Sequence, residues 1–163
     1  MNNSEIHGKL VEWLGALSGQ TVIQADQSGK RPALPYVMVR FTGTADLRDH
    51  PHDVLYAEDA AFERIMAAPL IETEWRFSIH AFGDAPTDLL RPIRSAASLS
   101  QANEPLAPGL LIAEVSQIRN LPEHINNAWE QRAQMDLFLR GVTRDGVLID
   151  TIEQYGFDIG RMA

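Results

Sequence analysis

Ile71-Glu72-Thr73-Glu74-Trp75-Arg76-Phe77-Ser78-Ile79-His80-Ala81 decides how the rest of the chain is read. Ile71, Thr73, Trp75, Phe77, Ile79 and Ala81 fall on one side of an extended backbone, and Glu72, Glu74, Arg76, Ser78 and His80 on the other. Strict alternation of this length predicts a long strand with one apolar face and one wet face. A second run, Trp129 to Arg140, does the same: Trp129, Gln131, Ala133, Met135, Leu137 and Leu139 alternate with Glu130, Arg132, Gln134, Asp136, Phe138 and Arg140. Two half-buried strands of this kind belong to an antiparallel sheet that needs cover on one face only.

Outward from these strands, Ile6, Leu10, Trp13, Leu14 and Leu17 recur at helical spacing after Ser4 as N-cap and before Gly19 as stop. Thr21 to Ala25 and Tyr36 to Phe41 read as strands joined by a turn-rich loop. Residues 43–56 carry Gly, Pro, three aspartates and two histidines without a clear period and read as an extended loop. Ala57 to Ala68, rich in Ala, Glu and Met, predicts a short helix ended by Pro69. A helix over 86–100 with Pro92 near its first turn or at a kink, a linker over 101–109, a strand over 110–116 and a hairpin turn at Arg144-Asp145-Gly146 before Val147-Leu148-Ile149 complete the reading. The expected architecture is a single α+β domain over 1–163. Its sheet is mostly antiparallel, and helices 3–18 and 86–100 are packed on one face.

The 163 residues carry a net charge of −8, no cysteine and 45% hydrophobic residues. Such a chain can bury a real core in one domain. Its charge disfavours general binding to a phosphate backbone. The missing thiols remove disulfides, thiolate metal sites and cysteine nucleophiles, and fit a cytosolic protein. No apolar run approaches the roughly 18 residues of a membrane span, and Met1-Asn2-Asn3-Ser4-Glu5 does not open a signal peptide.

Candidate chemistry is sparse. His50-Pro51-His52-Asp53 offers two imidazoles and a carboxylate, weak candidates for a metal site, but no third histidine stands at a recognised spacing. Gly29-Lys30-Arg31 lacks the upstream glycine and following Ser or Thr of a phosphate loop. None of Ser18, Ser28 or Ser95 sits in a nucleophile elbow. Glu72/Glu74 and Glu58/Asp59 read as surface pairs, and Trp13, Trp75 and Trp129 as core anchors.

Three stretches in order resemble the bacteriophage neck or tail terminator family: Arg31-Pro32-Ala33-Leu34-Pro35-Tyr36-Val37; Phe77-Ser78-Ile79-His80-Ala81-Phe82-Gly83 followed by Asp88-Leu89-Leu90-Arg91; and Ile118-Arg119-Asn120-Leu121-Pro122 followed by Trp129 to Leu139. The resemblance implies a structural virion protein without catalytic residues or cofactor. It further implies a homo-oligomeric ring, usually hexameric, that caps the tail tube, contacts the tube protein and the neck or connector proteins, and lets genomic DNA through its channel. The acidic balance would then give a channel through which DNA slides without sticking. Subunit or partner contacts are expected from Asp46, Arg48, His50 and His52 in the 43–56 loop, from Arg76, Arg132 and Arg140 on the polar strand faces, and from Asp150 and Glu153 in the C-terminal segment that begins at Asp145. Two other readings stand beside it: a small metal-dependent hydrolase using His50, His52 and Asp53, and a monomeric binding module of the same architecture.

Overall fold

The computed structural model describes residues 2–26, 28–59, 64–125 and 127–149. In chain order the elements are α1 (Asn3–Ser18), β1 (Thr21–Gln24), β2 (Tyr36–Asp46), β3 (Asp53–Asp59), β4 (Arg64–Phe82), α2 (Pro86–Ala96) and α3 (Ser100–Asn103). A 3₁₀ turn (Glu104–Leu106), β5 (Leu110–Val115), β6 (Arg119–Asn120), β7 (Glu123–Ile125), β8 (Ala128–Glu130), β9 (Arg132–Arg144) and β10 (Val147–Ile149) follow. The main sheet runs β1-β2-β4-β9-β5, with β3 and β10 added to β4 and β6 to β9; β7 and β8 form a separate two-stranded ribbon. Among the described residues only the β1–β2 pairing is parallel. The α+β architecture expected from the alternation is present.

The core lies between α1, α2 and one face of the sheet. Ile6, Leu10, Trp13 and Leu14 of α1 meet Leu90 and Ile93 of α2, Leu106, and the inward residues Trp75, Phe77, Ile79, Met135, Leu137 and Leu139. Trp13 also donates its indole N–H to the Ala102 carbonyl at 2.7 Å, pinning α3 under α1. Helix α1 stops where expected, at Gly19, whose φ of 64° is left-handed backbone that a side chain disfavours. Its start differs. Asn2, not Ser4, is the N-cap, because Asn2 and Glu5 form a reciprocal capping box with bonds of 2.8 and 3.0 Å. Replacing Asn2 with alanine is expected to cost about 1 kcal/mol in urea denaturation, while Ser4→Ala is expected to change little.

Larger departures lie between residues 43 and 69. The extended loop expected over 43–56 shrinks to 47–52, since β2 runs to Asp46 and β3 begins at Asp53. Leu47 N–H donates to the Glu72 carbonyl and His52 N–H to that of Leu70, so the excursion leaves and rejoins the same edge of β4. The helix expected over 57–68 is instead the end of β3 and the start of β4. Helix propensities differ by only tenths of a kcal/mol per residue. Here β4 gains a paired strand on each edge, β3 on one and β10 on the other. Pro69 does not end an element; it lies inside β4 opposite Val54.

The turn expected at Arg144-Asp145-Gly146 is absent as well. Arg144 faces Leu70 and Val147 faces Ala67, so β10 continues β9 along β4 in unbroken register. The ladder is interrupted only at Asp145 and Gly146, the positions opposite Pro69 and Ala68. Pro69 has no N–H to give there, so Asp145-Gly146 marks a gap in the pairing and the chain does not reverse. Residues 101–109, expected as a linker, include α3 and the 3₁₀ turn, and α2 ends at Ala96.

Candidate assembly surfaces

Three surfaces follow from this construction: the helix-free face of the sheet, the end where β4 finishes, and the end where it starts.

The helix-free face was expected to be wet, yet Glu74, Ser78 and His80 are 7%, 4% and 6% exposed. They sit on the central strand, where longer side chains of β9, with Arg76 of β4 itself, reach over them. Arg140 donates from Nε and Nη2 to Glu74 Oε2, both at 3.0 Å, and Arg76 Nε donates to Oε1 at 3.1 Å. Burial pushes the Glu74 carboxyl up, but the two arginines outweigh it and hold it below the ordinary glutamate value. Ser78 donates to Asp136 at 2.9 Å and accepts from Gln134 at 2.6 Å, while Arg119 pairs with the other oxygen of Asp136. Arg132 Nε donates to His80 Nδ1 at 3.2 Å and its Nη1 to Glu123 at 3.0 Å. Accepting at Nδ1 fixes the His80 proton on Nε2. Burial, and then the charge of Arg132, push the His80 imidazole down to about 4.

Arg76, Arg132 and Arg140, expected as contact residues, therefore all hold carboxylates of their own chain. Arg48 does too, pairing with Glu72 at 3.2 Å, and Arg40 reaches Asp26 at 3.5 Å. Asp46 accepts from Thr73 at 3.3 Å. His50 and His52 are exposed, and Asp53 Oδ1 accepts from the Val54 N–H. Among the described residues no three His, Asp or Glu side chains come together as a metal site. Asp150 and Glu153 lie outside the described residues.

At the end where β4 finishes, the β7–β8 ribbon is latched to the sheet by Arg31–Glu130 and Arg132–Glu123. Arg31 also lies over the rings of Tyr36 and Phe82, 5.4 and 5.0 Å from their centroids. Trp129, expected in the core, is 68% exposed on this ribbon beside His124. The alternation was read as one strand, but the chain breaks at Gln131, which puts Trp129 on β8 and outside the β9 register.

At the other end, β3, the first half of β4 and β10 form a three-stranded finger. Leu55, Tyr56, Met66, Val147, Leu148 and Ile149 on it are all exposed. Sequence reasoning missed this element. Its signal was the apolar run Ile65-Met66-Ala67-Ala68-Pro69-Leu70-Ile71, which carries a proline and leads straight into the alternation.

The described residues thus combine an apolar core shared by sheet and helices with large apolar side chains left open at both ends of β4. A phage neck terminator family model matches residues 4–161, and the chain belongs to that family, which is structural and not a class of enzyme. No curated protein matches the sequence. Among solved structures, the sheath/tube terminator of an extracellular contractile injection system in its extended state aligns with 12% identity and a TM-score of 0.49, covering 100% of this chain and 65% of its own. A chain from the virion of a native gene transfer agent particle aligns with 18% identity and a TM-score of 0.27, covering 86% of this chain and 92% of its own. The chain thus spans just under two thirds of the length of the injection-system terminator. No helix among the described residues is long and apolar enough to cross a membrane.

Proposed function

We propose that copies of this chain close into a ring, six-membered as the family resemblance implies, at the head-proximal end of a phage tail tube. The ring stops tube polymerisation, joins the tail to the neck or connector proteins and leaves a channel for the genomic DNA; it assembles in the host cytoplasm and stays in the virion. The observation that carries this reading is the terminator family match over nearly the whole chain.

The electrostatics support a passive channel. The chain carries −8, and six arginines on or beside the helix-free face, Arg40, Arg48, Arg76, Arg119, Arg132 and Arg140, are each paired with a carboxylate. Cations already neutralised in this way release few counterions from DNA, so whichever way this face is turned it offers little grip on a passing duplex.

Tube protein polymerised in the presence of the purified chain is expected to give tubes capped at one end, with rings visible there by negative-stain imaging, and elongation halted from that end. Tubes that lengthen at the same rate at both ends, with nothing seated on either, would refute the proposal.

A further inference from the structure

We propose that the finger of one copy packs against the opposite end of a second copy, the end that carries the β7–β8 ribbon, and that this is the contact that closes the ring. The inference rests on the ring reading above and supplies its interface.

Uncovered apolar side chains are concentrated at two places on the molecule. Fourteen large ones are exposed among the described residues. Leu47, Leu55, Tyr56, Met66, Val147, Leu148 and Ile149 lie on or beside the finger. Leu34, Leu121, Ile125 and Trp129 lie at the other end, where Tyr36 pairs with Phe82 and Leu121 N–H donates to the Arg132 carbonyl. Ring closure by identical chains requires two different patches that meet head to tail. Among the described residues eleven of the fourteen gather in two patches, one at each end of the longest strand, and Phe41, Leu99 and Leu111 lie outside both.

The finger carries apolar residues on both of its faces. Register places Val54, Tyr56, Ile65, Ala67, Val147 and Ile149 on one face. Leu55, Ala57, Met66, Ala68 and Leu148 fall on the other. A ribbon that carries exposed apolar residues on both faces, with Glu58 on one and Asp53 and Arg64 on the other, and lies beyond the helices, has no core of its own. A flat tube end would cover one face only. The far end of the chain carries two clefts: one between Leu34-Pro35 and Leu89, the other with Tyr36, Phe82 and Ile125 set among charged side chains that include Arg31, Glu130 and Arg132. A two-faced finger fits an acceptor that grips it.

The seven finger residues leave on the order of 600 Å² open over the two faces together, so an acceptor that covers both approaches the ~800 Å² per partner of a standard interface. A second copy supplies the matching patch on every subunit, so no finger in a closed ring is left over.

The chain has no cysteine, so introduced thiols are unique. Tyr56 and Trp129 are separated by about fifteen residues of β4, or about 50 Å, so a short cross-link between them must join two copies. The double variant Tyr56→Cys/Trp129→Cys, treated with a short bismaleimide under conditions where native mass spectrometry finds it assembled, is expected to give a ladder of covalent oligomers up to the ring size; each single variant is expected to stay monomeric on the gel. An assembled double variant that gives no ladder overturns the finger contact and leaves the ring reading standing. Single Tyr56→Cys variants linked in pairs overturn it in favour of a symmetric finger-to-finger dimer. Absence of ordered assembly both in solution and on tube ends overturns both readings. As a second arm, Tyr56→Asp/Leu148→Asp alters two exposed residues, so its thermal midpoint is expected to stay unchanged while association weakens at least tenfold; unchanged association overturns the proposal. A photo-reactive side chain at position 56 that labels tube protein, or residues 151–163 of its own chain, in place of a second copy also overturns it.

Discussion

Replacing Trp75 with alanine is expected to lower unfolding stability by about 3–5 kcal/mol, a large share of the total for a domain of this size. The indole is 2% exposed at the centre of β4. Its Nε1–H donates to Asn3 Oδ1 at 3.0 Å, which ties the first turn of α1 to the sheet. The ring also packs against Gly141 of β9, where an added Cβ would come within 3.2 Å of the indole and 2.5 Å of the Gly109 carbonyl. Truncation thus removes a large apolar volume, a half-buried hydrogen bond and the wedge between two strands and a helix. The thermal midpoint is expected to fall by roughly 10 °C, at 2–4 °C per kcal/mol. Trp75→Phe keeps most of the volume and is expected to cost less than half as much. A loss below 1 kcal/mol for Trp75→Ala, measured by urea denaturation, would contradict this packing.

Stability is expected to fall by about 3 kcal/mol as the pH is lowered from 6.5 to 4, through His80 alone. The folded protein holds this imidazole neutral down to about 4, chiefly by burial and then by the neighbouring Arg132, against the opposing charge of Asp136. An unfolded chain takes up a proton near 6.5. Between these values the unfolded state binds more protons, so the stability contributed by neutral His80 is complete above 6.5 and is lost as the pH falls towards 4. His7 shifts the same way, its imidazole pushed down by burial against a raising hydrogen bond to the Val39 backbone. Glu74, held below the ordinary glutamate value, extends the loss to lower pH, because its contribution is present above the unfolded value and disappears as it is protonated. Denaturant titrations at pH 7, 5.5 and 4 check this. His80→Gln is expected to flatten most of the slope between 6.5 and 4; an equal slope in that variant would place the proton uptake elsewhere.

The alternation over 71–81 predicted both the strand and the face that meets the helices, and α1 was legible from its spacing and from Gly19. Burial of Glu74, Ser78 and His80 was not legible. Alternation reports which face a residue takes, but whether long neighbours close over that face depends on a strand 52 to 66 residues away in the chain. Trp129 shows the same limit: its parity matched β9, and a break at Gln131 put it on a different strand. The family resemblance, resting on the order of three stretches, agrees with the family match over residues 4–161.

The segment 57–68 draws the line most sharply. Its Ala, Met and Glu residues favour helix by local propensity, a preference of tenths of a kcal/mol each, and the same residues form strand once β3 and β10 flank them. The sequence by itself determined the elements whose apolar residues repeat with one period against a single core: α1, the central stretch of β4 and the inward face of β9. Only the tertiary structure decided the finger, the gap opposite Pro69 and the exposed Trp129, because pairing between distant strands supplies backbone hydrogen bonds and cover that no local pattern records.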